Sequence, residues 1–482
     1  MAKLKNIVQQ LSENDYKSIY DSLMTSNADK SAYLLSSLRE EQLSDNDIMD
    51  TLEVNTNAYY TLRSRLNQKI EEYLLQQMES PRTDILKKVA NINEIAFTRK
   101  PAIVIATLKK LEKELSDYDL ANELTVIYKL LKKLHLNSPD YFTYSQLYNR
   151  HVAYMLAVDK AEDLLAEYFK KYGNFFLTGE ETSKLELSLL IKEVKNIGAL
   201  YESHRLYVYQ SSMAIFHRLF VENNEEETED VEPIEDILEK VERTFDDYQM
   251  DSMYYHLRLV FEFLRYEYYS HYRVFSKAEK YFEGINDAKA NLLANYGLYT
   301  FPSQFLISKL KRAIRQGSEK ELYGQSSGLL IDYEPDKDDI PGYVVYTVYR
   351  ALACFYSEKF EEAANWLNDF LNEVSLKKYH YLHMEVKVLL GLQYCLMHDF
   401  ELFNQIGNSI QRQIRLFGKE NCEHIVLFLK ALKISSSVNK SQKEQKISAA
   451  FDKITMDNVG YFSPITYIKR DEKFIKLLTQ YK

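Results

Sequence analysis

Leu352-Ala353-Cys354-Phe355-Tyr356-Ser357-Glu358-Lys359-Phe360-Glu361-Glu362-Ala363 lies over Leu392-Gln393-Tyr394-Cys395-Leu396-Met397-His398-Asp399-Phe400-Glu401-Leu402-Phe403 at a fixed offset of 40 residues. In both stretches Leu and Phe recur at matching positions, and a charged pair interrupts the helical pattern just before an aromatic residue. An apolar face that returns at a fixed interval suits helical hairpins, each burying one side by stacking on the next. Leu352, Phe355, Phe360, Ala363 and Leu367 are therefore expected to share one buried layer with Leu392, Phe400 and Phe403. A related helix opening, an apolar residue three before Ala, occurs at Phe275-Ser276-Lys277-Ala278 and more weakly at Val158-Asp159-Lys160-Ala161.

Composition agrees with a helical chain. Its 482 residues include only 13 Gly and 8 Pro, where average usage would supply roughly 34 and 24. Glycine serves left-handed turns and proline interrupts helices, so scarcity of both predicts long helices joined by short connections. The length suggests about three units of ~150 residues or one elongated array. The 39 Tyr against one Trp suit half-buried positions between stacked helices, because the ring is apolar and its tip polar. A net charge of −10 opposes nucleic acid and anionic membranes in bulk, so any such contact needs a local patch. No apolar run approaches the roughly 20 residues of a transmembrane span, and Met1-Ala2-Lys3-Leu4-Lys5 leads into no signal-peptide core. Cys354, Cys395 and Cys422 are isolated in helix-like surroundings, which fits buried thiols in a reducing, cytoplasmic compartment.

The segments around the 40-residue offset resemble tetratricopeptide repeats. In that family helix A carries Leu, a small residue and Tyr, and helix B opens with an aromatic and an Ala. Phe360-Glu361-Glu362-Ala363-Ala364-Asn365-Trp366-Leu367 is similar to such a helix B. The turn before Phe360 is shorter than the family's, the helix-A Gly and terminal Pro are missing, and the clearest match covers 343–417. The resemblance implies an all-α fold, an irregular α-solenoid of hairpins, with a groove that holds a protein or peptide.

Three regions follow from the patterning: an N-terminal helical domain over 1–80, the solenoid over 81–435, and a polar linker with C-terminal helices over 436–482. Cap signals mark the first, with Leu43-Ser44-Asp45-Asn46-Asp47 as a capping box and Ser80-Pro81 as an N-cap and first-turn proline. Glu222–Asp236 is dense in acids and reads as a solvated loop. Tyr333–Gly342 reads as a turn-rich connector.

Few constellations suggest catalysis. Gly324-Gln325-Ser326-Ser327-Gly328 matches the G-x-S-x-G pattern, but that device needs a strand before the serine, and helix-forming Lys309–Tyr323 precedes it. It is expected to be a polar loop between helices. His380 and His383 share a helical face, with His398 as the one nearby further imidazole, too few for a metal site with its supporting partners. No Gly-rich phosphate loop occurs. No enzyme activity, cofactor or metal is expected.

Leu43–Ile70 resembles the helix-turn-helix of sigma-factor region 4 and related response regulators. Asp47–Leu52 would form the first helix, Glu53-Val54-Asn55 the turn and Thr56–Ile70 the recognition helix. Ile48, Leu52, Val54, Ala58, Leu62 and Leu66 would lock the pair. The resemblance implies that Asn57, Tyr60, Arg63, Arg65 and Lys69 reach bases or phosphates, with Tyr59 also available. Glu53 stands where the family usually has Gly for its positive φ.

The function expected is a non-enzymatic scaffold or adaptor that binds a protein or peptide on a helical-repeat surface. The alternative is a DNA-binding transcription regulator with a tetratricopeptide-like sensor domain. The aromatic helix Tyr254–Tyr272 carries tyrosines around its circumference, which makes Arg258, Arg265, Tyr266 and Tyr269 candidate contacts for a protein partner.

Overall fold

The connection Ser357-Glu358-Lys359 is rebuilt, 40 residues on, as Met397-His398-Asp399. Glu358 (φ 62°) and His398 (φ 61°) both occupy the left-handed region. The Lys359 amide donates to the Cys354 carbonyl at 2.9 Å and the Asp399 amide to Tyr394 at 2.9 Å. These are Schellman closures, which satisfy the last carbonyls of a helix and reverse the chain. Asp119 (φ 53°) and Arg273 (φ 59°) end two further helices the same way, with Leu120 donating to Leu115 at 3.0 Å and Val274 to Tyr269 at 2.8 Å. These four helix ends are thus turned without glycine, as is the one at Glu53 (φ 50°), where the Val54 amide donates to the Met49 carbonyl at 3.1 Å. A left-handed conformation costs a residue with a Cβ about 1–2 kcal/mol. Glu358→Gly and His398→Gly should each raise stability by roughly 0.5–1 kcal/mol, net of glycine's entropy. The urea midpoint of each single variant checks this, and an unchanged or lowered midpoint contradicts it.

The computed structural model describes residues 4, 8, 11, 13–26, 28–39, 45–77, 81–201, 203–222, 232–248, 252–327, 333, 335–436, 442–454 and 460–479. It is all-α, with no strand among the described residues. Two compact units divide the chain: Met1–His151 with Gln249–Ser252, and Val152–Tyr248 with Met253–Lys482. The division falls inside the long helix Asp140–Thr178. In the first unit one apolar cluster draws on Ile19, Leu35, Ile48 and Leu66. Another, in the same unit, draws on Val104, Leu111, Leu124 and Ile127.

In the second unit, helices Ile340–Tyr356, Phe360–Glu373, His380–Leu396 and Phe400–Phe417 pack each against the next, and Glu423–Ser436 packs on His380–Leu396. Ile340–Tyr356 is buried on every side, as its near-continuous apolar sequence requires. Leu352, Phe355, Ala363, Leu367, Leu392 and Phe403 are buried as expected. Phe360 and Phe400 are only half-buried. Each opens a helix directly after a left-handed turn, so one edge of its ring stays at the surface.

Several other expectations need correcting. Gly324–Ser327 lies in the helix Glu321–Ser327 rather than in a loop, and Gly328 lies outside the described residues. Leu43, Ser44 and Ser80 of the proposed caps lie outside them too, as do 223–231 of the acidic stretch, Glu334 of the connector and 437–441 of the polar linker. Asp339 in that connector caps the next helix, accepting from the Gly342 amide at 3.3 Å.

Residues 460–468 form a strap across the second unit. The Phe462 amide donates to the Phe176 carbonyl at 2.8 Å, and the two rings stack at 4.9 Å. A Cβ at Gly179 would collide with the Gly460 carbonyl, so glycine is needed where strap and helix end meet. Beneath the strap Glu385 is 0% exposed. It accepts from Ser463 Oγ at 2.5 Å, Tyr461 OH at 2.8 Å, His424 Nε2 at 3.0 Å and the Ile465 amide at 3.3 Å.

Candidate functional site

Val426, Leu429, Lys430 and Lys433 recur at helical spacing on one face of Glu423–Ser436, and Gln411, Ile414 and Arg415 do so on Phe400–Phe417. Where the two helices meet, these side chains and Lys419 line a groove of about 370 Å³. Ile414 and Leu429 are buried and make its floor, while Arg415, Lys419 and Lys430 are exposed and Lys433 is half-buried. No carboxylate is among the lining residues. None of the four cations forms an ion pair among the described residues, although ion pairs are common elsewhere on this surface. An apolar floor with unpaired cations on the rim can accept an acidic, amphipathic segment. Sequence reasoning missed this groove, because each helix alone shows only ordinary basic residues beside a core stripe.

The N-terminal pair has the connection that its sequence suggested. Helices Asp45–Leu52 and Thr56–Gln77 flank the turn Glu53-Val54-Asn55, and Glu53 takes φ 50° despite its Cβ. Asn55 Oδ1 accepts from the Ala58 amide at 2.9 Å, an N-cap that starts the second helix. Lys30 Nζ donates to the Leu52 carbonyl at 2.9 Å. Ile48, Leu52 and Leu66 are buried, but Ala58 is exposed and does not help to lock the pair. Tyr59 is buried in the cluster and unavailable to a ligand.

Tyr60 is exposed, and Arg63 lies over the Tyr59 ring, 5.6 Å from its centre. Arg65 and Lys69 are exposed and face a groove of about 500 Å³ shared with Asp29, Lys30 and Glu72. Tyr60 and Lys69, nine residues apart, project from opposite sides of the helix at about 100° per residue. The proposed contacts therefore do not form one face. The side chain of Asn57 lies outside the described residues.

Of the positions proposed for a partner on the aromatic helix Ser252–His271, Tyr266 is buried, while Arg258, Arg265 and Tyr269 are half-buried and engaged by neighbours. Tyr266 is 2% exposed, with its ring 5.7 Å from Phe282 and 6.0 Å from Phe305. Arg258 pairs with Glu242, and with Asp246 at 3.0 Å. Arg265 donates to the Leu238 carbonyl at 2.9 Å and to Glu242 at 3.3 Å. Both arginines tie this helix to Ile234–Asp247. Tyr269 stacks on Tyr281 at 6.2 Å with Lys277 over its ring. A helix carrying tyrosines all round is here one packed on several sides, and its arginines are used within the fold.

The serine of the G-x-S-x-G pattern and the histidine pair have local partners. Ser326 Oγ donates to the Tyr323 carbonyl at 3.0 Å, one turn back in its own helix. His380 stacks on Phe417 at 4.6 Å, and burial pushes His383 down to about 4. Among the described residues no His, Cys, Asp and Glu side chains gather as three or more around a metal-sized site. The three cysteines are buried, and burial pushes Cys354 and Cys422 up to about 11, which holds them as thiols. No described helix is long and apolar enough to cross a membrane.

No protein-family model, curated protein or solved structure matches this chain.

Proposed function

We propose that this chain is a non-enzymatic interaction scaffold, an irregular α-solenoid of tetratricopeptide-like hairpins. It would hold an acidic amphipathic segment of a partner protein in the groove between Phe400–Phe417 and Glu423–Ser436. One observation carries the reading: Arg415, Lys419, Lys430 and Lys433 stand unpaired around an apolar floor in a chain of net charge −10. An amphipathic helix or turn would set its apolar side chains on Ile414, Val426 and Leu429 and its carboxylates on the rim. Rim charges contribute little each but act together on encounter rate and orientation.

Fluorescence anisotropy tests this with a labelled acidic amphipathic peptide and a counterpart in which every acid is replaced by lysine. The acidic peptide should bind at low salt and weaken as salt rises, while the basic one should not bind. The double variant Lys430→Glu, Lys433→Glu should lose about thirtyfold in affinity, roughly 1 kcal/mol for each reversed charge. Circular dichroism should be unchanged, since both side chains reach solvent. Equal binding of the two peptides, or undiminished binding by the variant, contradicts the proposal. The alternative, a DNA-binding regulator, draws support from the turn at Glu53 and the exposed Arg65 and Lys69. A labelled duplex in the same titration at ~50 mM salt separates the two readings. Binding that disappears in Arg65→Ala, Lys69→Ala would favour the regulator.

A further inference from the structure

A second cavity, of about 430 Å³, opens between the C-terminal end of Ser252–His271 and the helix Gln304–Gln316. That volume falls within the ~300–1,000 Å³ usual for small-molecule sites. Phe220, Tyr266 and Phe275 contribute apolar wall, Glu267, Gln304 and Ser308 polar lining, and Arg273, Lys311 and Arg315 positive charge. Glu267 is 4% exposed and Gln304 3% exposed, yet Glu267 Oε1 and Gln304 Oε1 have no hydrogen-bond partner among the described residues. Ser308 Oγ donates to the other carboxylate oxygen of Glu267 at 2.9 Å. A buried polar atom left without a partner gives up its hydration for nothing in return, so two on residues that line one cavity need a reason.

The reason is supplied by what could enter. Oε1 of Glu267 and the Gln304 amide can together receive a group rich in N–H donors. Arg273 and Lys311 form no ion pair among the described residues and are exposed. Arg315 is partly engaged, donating to Glu279 at 3.3 Å and lying over the Phe275 ring. The cavity therefore carries one buried acid and a rim of cations. We propose that it binds a small zwitterion, with a ligand ammonium at Glu267 and Gln304 and a ligand carboxylate at Arg273 and Lys311. Neither charge of such a ligand would be left buried and unpaired, and the two orphan acceptors would be filled. This site is distinct from the groove proposed for a protein partner and does not depend on it.

Binding should also move a proton. Burial pushes the Glu267 carboxyl up to about 7, against the opposing pull of Ser308 and Lys311. The charged and titratable groups around it are Tyr172, Tyr266, His271, Arg273, Lys311 and Arg315. An arriving ammonium favours the ionised carboxylate, so at neutral pH up to about half a proton should leave on binding.

Titration calorimetry on the full chain at pH 7 tests the proposal, with ω-amino acids of increasing length and glycylglycine as probes. Butylamine and butyrate serve as single-charge controls. At least one zwitterion should give saturable heat that differs between buffers of different ionisation enthalpy. Both controls should bind about tenfold or more weakly, each keeping one of the two charge-assisted contacts. Glu267→Gln keeps the shape and the Ser308 partner. It should lose about tenfold in affinity and all of the buffer dependence. Arg273→Ala with Lys311→Ala, at exposed positions, should weaken binding while leaving the proton release of bound ligand intact. No saturable heat with any zwitterion overturns the proposal. So does undiminished binding by Glu267→Gln, or a control that binds as well as the zwitterions.

Discussion

Replacing Glu385 by alanine should cost about 4 kcal/mol, because it removes the shared acceptor of a buried network and each stranded buried donor costs about 1–3 kcal/mol. Four donors converge on this one carboxylate, from Tyr461, Ser463, Ile465 and His424. Three of the four belong to the strap. Without the acid the buried Ser463 hydroxyl and Ile465 amide lose this acceptor, while Tyr461 and His424 keep only each other, at 3.1 Å. The strap is also held by the Phe462 amide bond to Phe176, the stacked pair of rings, Tyr356 OH donating to the Tyr467 carbonyl at 2.5 Å, Tyr461 stacked on Tyr381, and the buried Ile465 and Ile468. Loss should therefore appear first as local opening. Hydrogen exchange at residues 461–468 should accelerate well before global unfolding changes. Glu385→Gln, which keeps two acceptor lone pairs but turns an amide toward donors, should fall between wild type and alanine. An alanine variant within 1 kcal/mol of wild type, with unchanged exchange along the strap, would show that the rings and not the carboxylate hold it.

What the sequence made legible was local. Glu358-Lys359 and His398-Asp399 stood out because a charged pair inside an apolar helical pattern has no face to occupy. They prove to be the left-handed turns and the residues after them. Glu53 was legible through the helix-turn-helix resemblance, as the turn position between a helix ending at Leu52 and the next, which Asn55 caps. The failures concern how much of each side chain its neighbours cover. Phe360 and Tyr266 both read as apolar or aromatic residues on helices. Their different burial is decided by Phe282 and Phe305 beside Tyr266 and by the open end of the turn beside Phe360. The polar sites were invisible for a stronger reason. Glu385 meets Ser463 across 78 residues and Glu267 meets Ser308 across 41, and no periodicity links an isolated acid to a distant serine. The basic groove also needs two helices in register before its four cations become one feature. Helix pattern reports which side is buried, but not which polar atoms are buried with it.

A Lys309→Met variant should gain stability on wild type at pH 7 and lose that gain as the solution is made alkaline. Lys309 is 2% exposed, and its ammonium donates to Asn286 Oδ1 at 2.7 Å. Burial, aided by Lys289 and Arg312, pushes it down to about 7 from 10.5. Between those two values the unfolded chain holds a proton that the folded chain has released, so wild-type stability rises with pH across this window. Near the middle of the window the slope from this one group is about 1.4 kcal/mol per pH unit, and the whole displacement is worth on the order of 5 kcal/mol. Glu267 acts oppositely and in another range. Its folded value of about 7 lies above the ordinary 4.5, so its contribution is full below 4.5 and is lost as pH rises through 7. Other groups contribute toward the alkaline end, notably tyrosines that burial keeps protonated in the fold while the unfolded chain begins to lose those protons near pH 10. The informative quantity is therefore the difference between wild type and Lys309→Met, measured from urea midpoints at pH 7, 8 and 9. Methionine keeps the aliphatic fill but leaves Asn286 without its donor, which offsets about 1–2 kcal/mol of the gain at every pH. The difference should still move by roughly 2–3 kcal/mol in favour of wild type between pH 7 and 9. Parallel pH profiles for the two proteins would mean that Lys309 keeps its proton in the fold, with Asn286 and nearby water holding the charge that burial alone would remove.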